Sequence, residues 1–202
     1  MSRADPNLRW HEGSVARADR ESRLGQTAMT LWFTGLSASG KSTLAFALEQ
    51  ALTQRGRACY VLDGDNVRHG LNRDLGFSAQ DRSENIRRIA EVARLMNDAG
   101  LIVITSFISP FAADRERARQ IVGADHFREV YVSTPFTVCE ERDPKGLYAR
   151  AKAGNVADFT GVSSPYEPPA RPDIEIDTQV VSVEAAIDRL MTWVGCSPGL
   201  SG

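Results

Sequence analysis

The stretch Gly35-Leu36-Ser37-Ala38-Ser39-Gly40-Lys41-Ser42-Thr43 contains the full phosphate-loop pattern G-x-x-x-x-G-K-[ST], and its flanks dictate a fold. Before it runs the apolar, β-prone segment Met29–Thr34, and after it the Ala/Leu-rich segment 44–52 has helical composition. Strand, loop and helix in that order let glycines turn backbone N–H groups onto phosphates, with the positive end of the helix dipole behind them. Gly35, Leu36, Ser37, Ala38, Ser39, Gly40, Lys41, Ser42 and Thr43 are therefore expected to hold a nucleoside triphosphate. Lys41 is placed to reach its β and γ phosphates, and the Ser42 hydroxyl to serve Mg²⁺.

A chain of 202 residues that is 42% hydrophobic builds one substantial core and is too short for two independent domains. Its net charge of −2 supplies no basic field for nucleic acid, so small ligands held by local arginines and lysines are expected. Cys59, Cys139 and Cys196 are odd in number, widely spaced and in no metal-like pattern, which fits a reduced, cytoplasmic protein. The polar N-terminus lacks the apolar core of a signal peptide, and no apolar run is long enough to span a bilayer.

Residues 1–26 have few apolar positions and no sustained period; they are expected to form a surface arm, anchored by Trp10 or partly disordered. Residues 27–202 form the domain. After the first strand and loop, the pattern predicts a helix over 42–55, a strand over 58–62, and two carboxylates, Asp63 and Asp65, at that strand's C-terminal end. Open α/β sheets bind ligands at that edge. A long amphipathic helix follows over 79–99, then a central strand over 101–105 ending in Ser106-Phe107-Ile108-Ser109-Pro110. A helix over 112–122 with outward arginines, a strand over 127–133 and a short helix over 136–141 complete the regular part. Residues 142–172 are irregular, helical only near 147–153, and carry Lys145, Lys152, Tyr148, Phe159 and Tyr166. Such a segment inside one domain reads as a lid. A short strand at 174–176 and a helix at 183–194 close an α/β fold: a three-layer, doubly wound, mostly parallel sheet of about five strands.

The loop alone does not choose among kinases, GTPases and motor ATPases. No N-K-x-D base-reading motif is present, whereas Asp63-Gly64-Asp65, the arginines at 68, 73, 82, 87 and 88, and a lysine-bearing lid meet the needs of a small-molecule kinase. Together with the loop, Asp63-Gly64-Asp65-Asn66-Val67-Arg68-His69-Gly70-Leu71-Asn72, Asp74-Leu75-Gly76-Phe77-Ser78, Asp81-Arg82, Glu84-Asn85-Ile86-Arg87-Arg88, Ser106-Phe107-Ile108-Ser109-Pro110, Asp143-Pro144-Lys145-Gly146-Leu147-Tyr148 and Phe159-Thr160-Gly161 resemble the adenylylsulfate kinase family. The resemblance runs from about Trp10 to the C-terminus. It implies transfer of the γ-phosphoryl of MgATP to the ribose 3′-hydroxyl of adenosine 5′-phosphosulfate (APS), giving 3′-phosphoadenosine 5′-phosphosulfate and ADP. Ala38 departs from it, standing where the family usually has glycine; if that position needs positive φ, alanine strains the loop.

Under this resemblance one of Asp63 and Asp65 holds the acceptor hydroxyl and the other serves Mg²⁺, and the sequence leaves the assignment open; Asp65 can also be read as no more than a helix cap. Arg68 and Arg82 suit the phosphosulfate, with Asn85 a neutral partner on the same helical face as Arg82. Phe77 and Phe159 resemble the pair that sandwiches the APS adenine. Ile108 and Ser109 contact APS in a direct transfer. The family's phosphoserine alternative at Ser109 finds no neighbouring base. Lys145, with Arg142 nearby, closes over the transferring phosphoryl, and the turn at 177–181 receives the ATP adenine. The resemblance also implies a homodimer and a possible association with ATP sulfurylase. Two other readings remain open: another phosphate-loop kinase acting on a nucleoside, gluconate or shikimate, and a non-catalytic, nucleotide-dependent partner of ATP sulfurylase.

Overall fold

In a computed structural model, which describes residues 7, 9, 11 and 13–195, strand β1 (Met29–Thr34) occupies the middle of a five-stranded sheet. Its run of Leu31, Trp32 and Phe33 is fully buried, as expected of a strand covered on both faces. β3 (Ile102–Ser106) and β4 (Phe127–Val132) flank it, β2 (Cys59–Asp63) lies outside β3, and β5 (Ile174–Ile176) lies outside β4. All four pairings are parallel. The order β2-β3-β1-β4-β5 is the doubly wound arrangement expected.

Each face of the sheet carries its own core. On one side α2 (Lys41–Gln54) and α8 (Val183–Trp193) bring Leu44, Leu48, Leu52, Leu190 and Met191 onto Leu31, Phe33, Ile104 and Val132. On the other, α4 (Ala79–Asp98) and α5 (Ala112–Val122) bring Ile86, Ile89, Ala93, Ala118 and Val122 onto Trp32, Val103 and Phe127. The strand alternation that sends Leu31 and Phe33 one way and Trp32 the other is the period-2 geometry of β1. A third cluster forms under the lid, where α6 (Phe136–Arg142) supplies Cys139, α7 (Leu147–Lys152) supplies Tyr148 and Ala151, and Phe159 completes it.

The structure adds two helices that no apolar period announces. α1 (Arg17–Leu24) buries none of its residues and is held from outside: Arg20 Nη1 donates to the Asp98 carbonyl and carboxylate at 2.8 and 2.9 Å. Just beyond α1, Gln26 exchanges hydrogen bonds with both backbone groups of Ala58 and donates to the Gly100 carbonyl. The arm expected to be patternless is thus partly helical and docked at the N-terminal edge of the sheet. α3 (Gly64–Arg68) follows β2 directly. Two expectations, Trp10 as anchor and Cys196 as a reduced thiol, fall outside the described residues. Among the described residues, no helix is long and apolar enough to cross a membrane.

One polar pair ties the layers together. The Asn97 carboxamide on α4 accepts from Thr30 Oγ1 of β1 at 2.7 Å and donates to the Leu101 carbonyl at 3.0 Å, fully inside the protein. Asn97→Ala leaves a buried hydroxyl and a carbonyl unpaired, so it is expected to cost about 2 to 3 kcal/mol. In thermal unfolding this corresponds to a Tm lower by about 5 to 10 °C for a chain of this size.

Candidate active site

The parallel register brings the C-terminal ends of three strands level: Ser106 of β3 pairs with Phe33 on one side and Asp63 on the other. The phosphate loop leaves β1 one residue beyond, at Gly35. A Cβ there would stand 2.5 Å from the Val132 carbonyl oxygen, so only glycine lets the loop start against β4. Gly40, at φ +102, caps α2. Ala38 sits at φ +59, which answers the question raised by its departure from glycine: the position does require the left-handed region, and the methyl is strained there.

Lys41 is buried, and its ammonium donates to the Leu36 carbonyl at 2.6 Å and to Ser39 Oγ at 3.4 Å. Burial pushes its pKa down to about 8, against the attraction of nearby acids that include Asp63 and Asp65. Behind the loop, Thr134 and Thr178 hydroxyls both lie 2.9 Å from the Ser39 carbonyl. Arg142 closes this rear wall, donating to Thr178 Oγ1 at 2.7 Å and to its carbonyl at 3.0 Å. Its expected place beside Lys145 is therefore corrected: its guanidinium serves the turn at 177–181, which packs on the back of the loop.

The two acids separate sharply. Asp63, buried at the end of β2, accepts from Ser42 Oγ at 2.8 Å with one carboxylate oxygen and from Asp65 N–H at 3.0 Å with the other. Ser106 Oγ lies 3.1 Å from the same Ser42 hydroxyl. Asp63 is thus the N-cap of α3, and the cap reading of Asp65 is overturned. The Asp65 side chain is 67% exposed and forms an ion pair with Lys145 of the lid. Lys152, the other lid lysine, pairs instead with Glu140.

Around the mouth the arginines hold backbone carbonyls. Arg68 donates to the Leu75 and Gly76 carbonyls at 3.0 and 2.9 Å and lies 4.3 Å over the ring of Phe77, which is 62% exposed. Arg82 donates to the Phe77 carbonyl at 2.8 Å and, across the mouth, to Thr160 Oγ1 and the Asp158 carbonyl of the lid. Asn85 is buried and accepts from Asn72 Nδ2 at 2.9 Å. Arg87 and Arg88 both bind Glu84, whose pKa they pull down to about 2, and Arg88 also clasps Asp74 with two bonds. Phe159 is buried, meeting Tyr148 edge to face at 5.0 Å; its polar neighbours in sequence concealed a local core.

Ser109 has φ +45, is 2% exposed, and accepts a hydrogen bond from Trp32 Nε1 at 3.1 Å. Ile108 accepts from Thr34 Oγ1 at 2.7 Å and from Gly35 N–H at 3.4 Å, tying this loop to the phosphate loop. Arg115 corrects the expectation of outward arginines on α5. It is 3% exposed, pairs with Glu129 at 2.8 Å, and donates at 2.7 Å to the carbonyls of Ser109 and Glu167. Sequence reasoning also missed Trp32 and Thr134, whose side-chain partners Ser109 and Ser39 lie 77 and 95 positions away. Loop, Asp63 and Ser106 thus share one edge, with Asp65, Lys145, Arg68, Phe77 and Arg82 on its rim.

Comparison with known proteins adds independent findings. Residues 27–177 match the profile of the adenylylsulphate kinase family. An adenylyl-sulfate kinase of Yersinia pestis is 59% identical over 187 residues, covering 93% of this chain and 87% of that one. One from Prochlorococcus marinus is 53% identical over 192 residues, covering 95% and 96%. Among solved structures, the Mycobacterium tuberculosis APS kinase in complex with AMPPNP and APS superposes with a TM-score of 0.80 at 47% identity, covering 84% of this chain and 99% of that one.

The lowered pKa of Lys41 has a measurable sign. A bound triphosphate favours the charged lysine, so binding takes up protons where the free protein holds it neutral. Uptake is expected to rise from about a tenth of a proton at pH 7 to about nine-tenths at pH 9. Calorimetry in buffers of different ionisation enthalpy reads this directly, and Lys41→Gln is expected to abolish it.

Proposed function

The chain belongs to the adenylylsulfate kinase family and transfers the γ-phosphoryl of ATP to the 3′-hydroxyl of adenosine 5′-phosphosulfate, and we propose that Asp63 serves the metal side of this transfer while Asp65 and Lys145 serve the acceptor side. The observation that carries the assignment is the 2.8 Å hydrogen bond from Ser42 to Asp63. A hydroxyl and a carboxylate gathered at the foot of the loop are hard oxygen donors of the kind Mg²⁺ takes, one directly and one through water. Mg²⁺, when bound, neutralises charge on the triphosphate. The Ser42 and Asp63 side chains are positioned for it by the N-terminus of α2 and the end of β2.

Asp65, two residues further on and exposed, orients the acceptor hydroxyl and takes its proton. Lys145 reaches Asp65 from the lid and stands where cationic charge offsets that of the moving phosphoryl. Residues 35–43 bind the triphosphate, with Lys41 released from the Leu36 carbonyl to meet it. The turn at 177–181, on the back of the loop, takes the ATP adenine. Arg68, Arg82 and Asn85 receive the phosphosulfate side of APS. The exposed ring of Phe77, backed by Arg68, stacks on its adenine from one side, and Phe159 limits the pocket from the other.

Ser109 acts by position. Its oxygen accepts from an indole N–H, and among the described residues no base is a hydrogen-bond partner of its side chain, which favours direct transfer over a phosphoserine intermediate. A homodimer and an association with ATP sulfurylase belong to the same proposal, tested by light scattering alone and with the sulfurylase.

With MgATP and APS the protein is expected to release ADP and 3′-phosphoadenosine 5′-phosphosulfate, and to release no ADP above background with a nucleoside, gluconate or shikimate; absence of APS-dependent ADP would refute the reading. Asp65→Asn is expected to lower kcat by about 10² to 10⁴, whereas Asp63→Asn is expected to raise the Mg²⁺ concentration needed for half-maximal rate. Ser109→Ala should keep most of kcat. Isolation of a phosphoserine from the wild type would overturn direct transfer.

A further inference from the structure

Tyr148 of the lid and Ala38 of the phosphate loop meet in a way that phosphoryl transfer does not itself require. Tyr148 is 1% exposed, and its hydroxyl donates to the Ser37 carbonyl at 3.0 Å. That carbonyl belongs to the peptide joining Ser37 to Ala38. In a trans peptide C=O and N–H point in opposite directions, so the bond turns the Ala38 N–H away from the lid. In a loop that binds phosphates through backbone N–H groups, this is the orientation an anion needs.

Ala38 opposes it. At φ +59 its Cβ is strained in a way glycine is not. Rotating the Ser37–Ala38 peptide would return Ala38 to negative φ, relieve the strain and swing the carbonyl toward the anion. The loop therefore carries a built-in bias toward the wrong orientation. Two contacts hold it back. One is the Tyr148 hydrogen bond. The other is packing of the Ala38 methyl, with Leu36, against the buried lid cluster of Cys139, Tyr148, Ala151 and Phe159. Burial also raises the pKa of the Tyr148 phenol, so the hydroxyl remains a donor throughout the neutral range.

We propose that Tyr148 is a positioning residue that locks the strained Ser37–Ala38 peptide in its anion-binding orientation, so that seating of the lid is a condition of tight triphosphate binding. The proposal rests on the triphosphate reading of residues 35–43. Linkage makes the effect reciprocal: the triphosphate, by needing that peptide orientation, seats the lid in turn. The same side chain touches Phe159, so lid seating also sets one wall of the acceptor pocket.

The test is a double-mutant cycle read by calorimetric titration with Mg²⁺ and a non-hydrolysable ATP analogue. Tyr148→Phe keeps the ring and removes the hydroxyl; it is expected to weaken binding about fivefold, the scale of one neutral hydrogen bond. Ala38→Gly removes the strain, since glycine holds positive φ freely, and supplies the background in which the hydroxyl is tested a second time. The double variant is expected to bind within about twofold of Ala38→Gly alone, because an unstrained peptide no longer needs the latch. A tyrosine that merely packs the lid would show no such rescue, and that result would overturn the proposal. So would a Tyr148→Phe variant that binds as the wild type does. Failure of the wild type itself to bind the analogue would refute the triphosphate reading, and the proposal with it. Thermal unfolding of all four proteins reports fold integrity separately from affinity.

Discussion

A phosphate loop can hold its N–H groups inward only if the strand that feeds it and the helix that leaves it cannot move. β1 meets this demand by lying between β3 and β4 with both faces covered, so that Leu31, Trp32 and Phe33 are sealed in two different cores. Gly35 then starts the loop against the backbone of β4, at a separation no side chain permits. Everything that acts is hung from this fixed edge. The parallel pairing sends the ends of β2 and β3 to the same level, and the helices α2 and α3 begin at that edge, joined by the Ser42–Asp63 hydrogen bond.

Much of this was legible because burial writes itself into sequence. The continuous apolar runs of β1 and β3 and the period of α4 reflect surfaces that must leave water, and each is found within a residue or two of its expected limits. α1 and α3 bury nothing, so they leave no period to read. Arg115 marks a different limit. Its charge suggests solvent, yet Glu129, the Ser109 carbonyl just before α5 and the Glu167 carbonyl of the lid make burial tolerable, and no apolar or charge period records those partners. Phe159 misleads for the converse reason: its neighbours in the chain are polar, but its neighbours in space are Tyr148 and Cys139.

The candidate site residues were identifiable as residue types at an edge, and the structure divides them by depth. Asp63 lies buried and binds the Ser42 hydroxyl at the start of α2, while Asp65 and Lys145 lie outward and bridge to the lid. Arg68 and Arg82, expected to face an anionic substrate, also build the rim that would receive it, since their guanidinium groups hold the carbonyls of residues 75–77 and 158. A guanidinium has donors enough for both tasks. The same side chains thus contribute shape and charge.

The lid is fastened unevenly along its length. At its root Cys139, Tyr148, Ala151 and Phe159 are sealed together, and freeing them means exposing aromatic surface to water. At Lys145 the hold on the rim is an ion pair between two largely exposed side chains, an interaction of little strength in water, while further along the lid Arg82 fastens Thr160 and the Asp158 carbonyl. Thermal motion can part Lys145 from Asp65 many times over before it lifts Tyr148 from the loop. The entrance therefore yields first where that ion pair parts: molecules exchange beside Lys145, while the floor on which the triphosphate rests keeps its shape from one visit to the next.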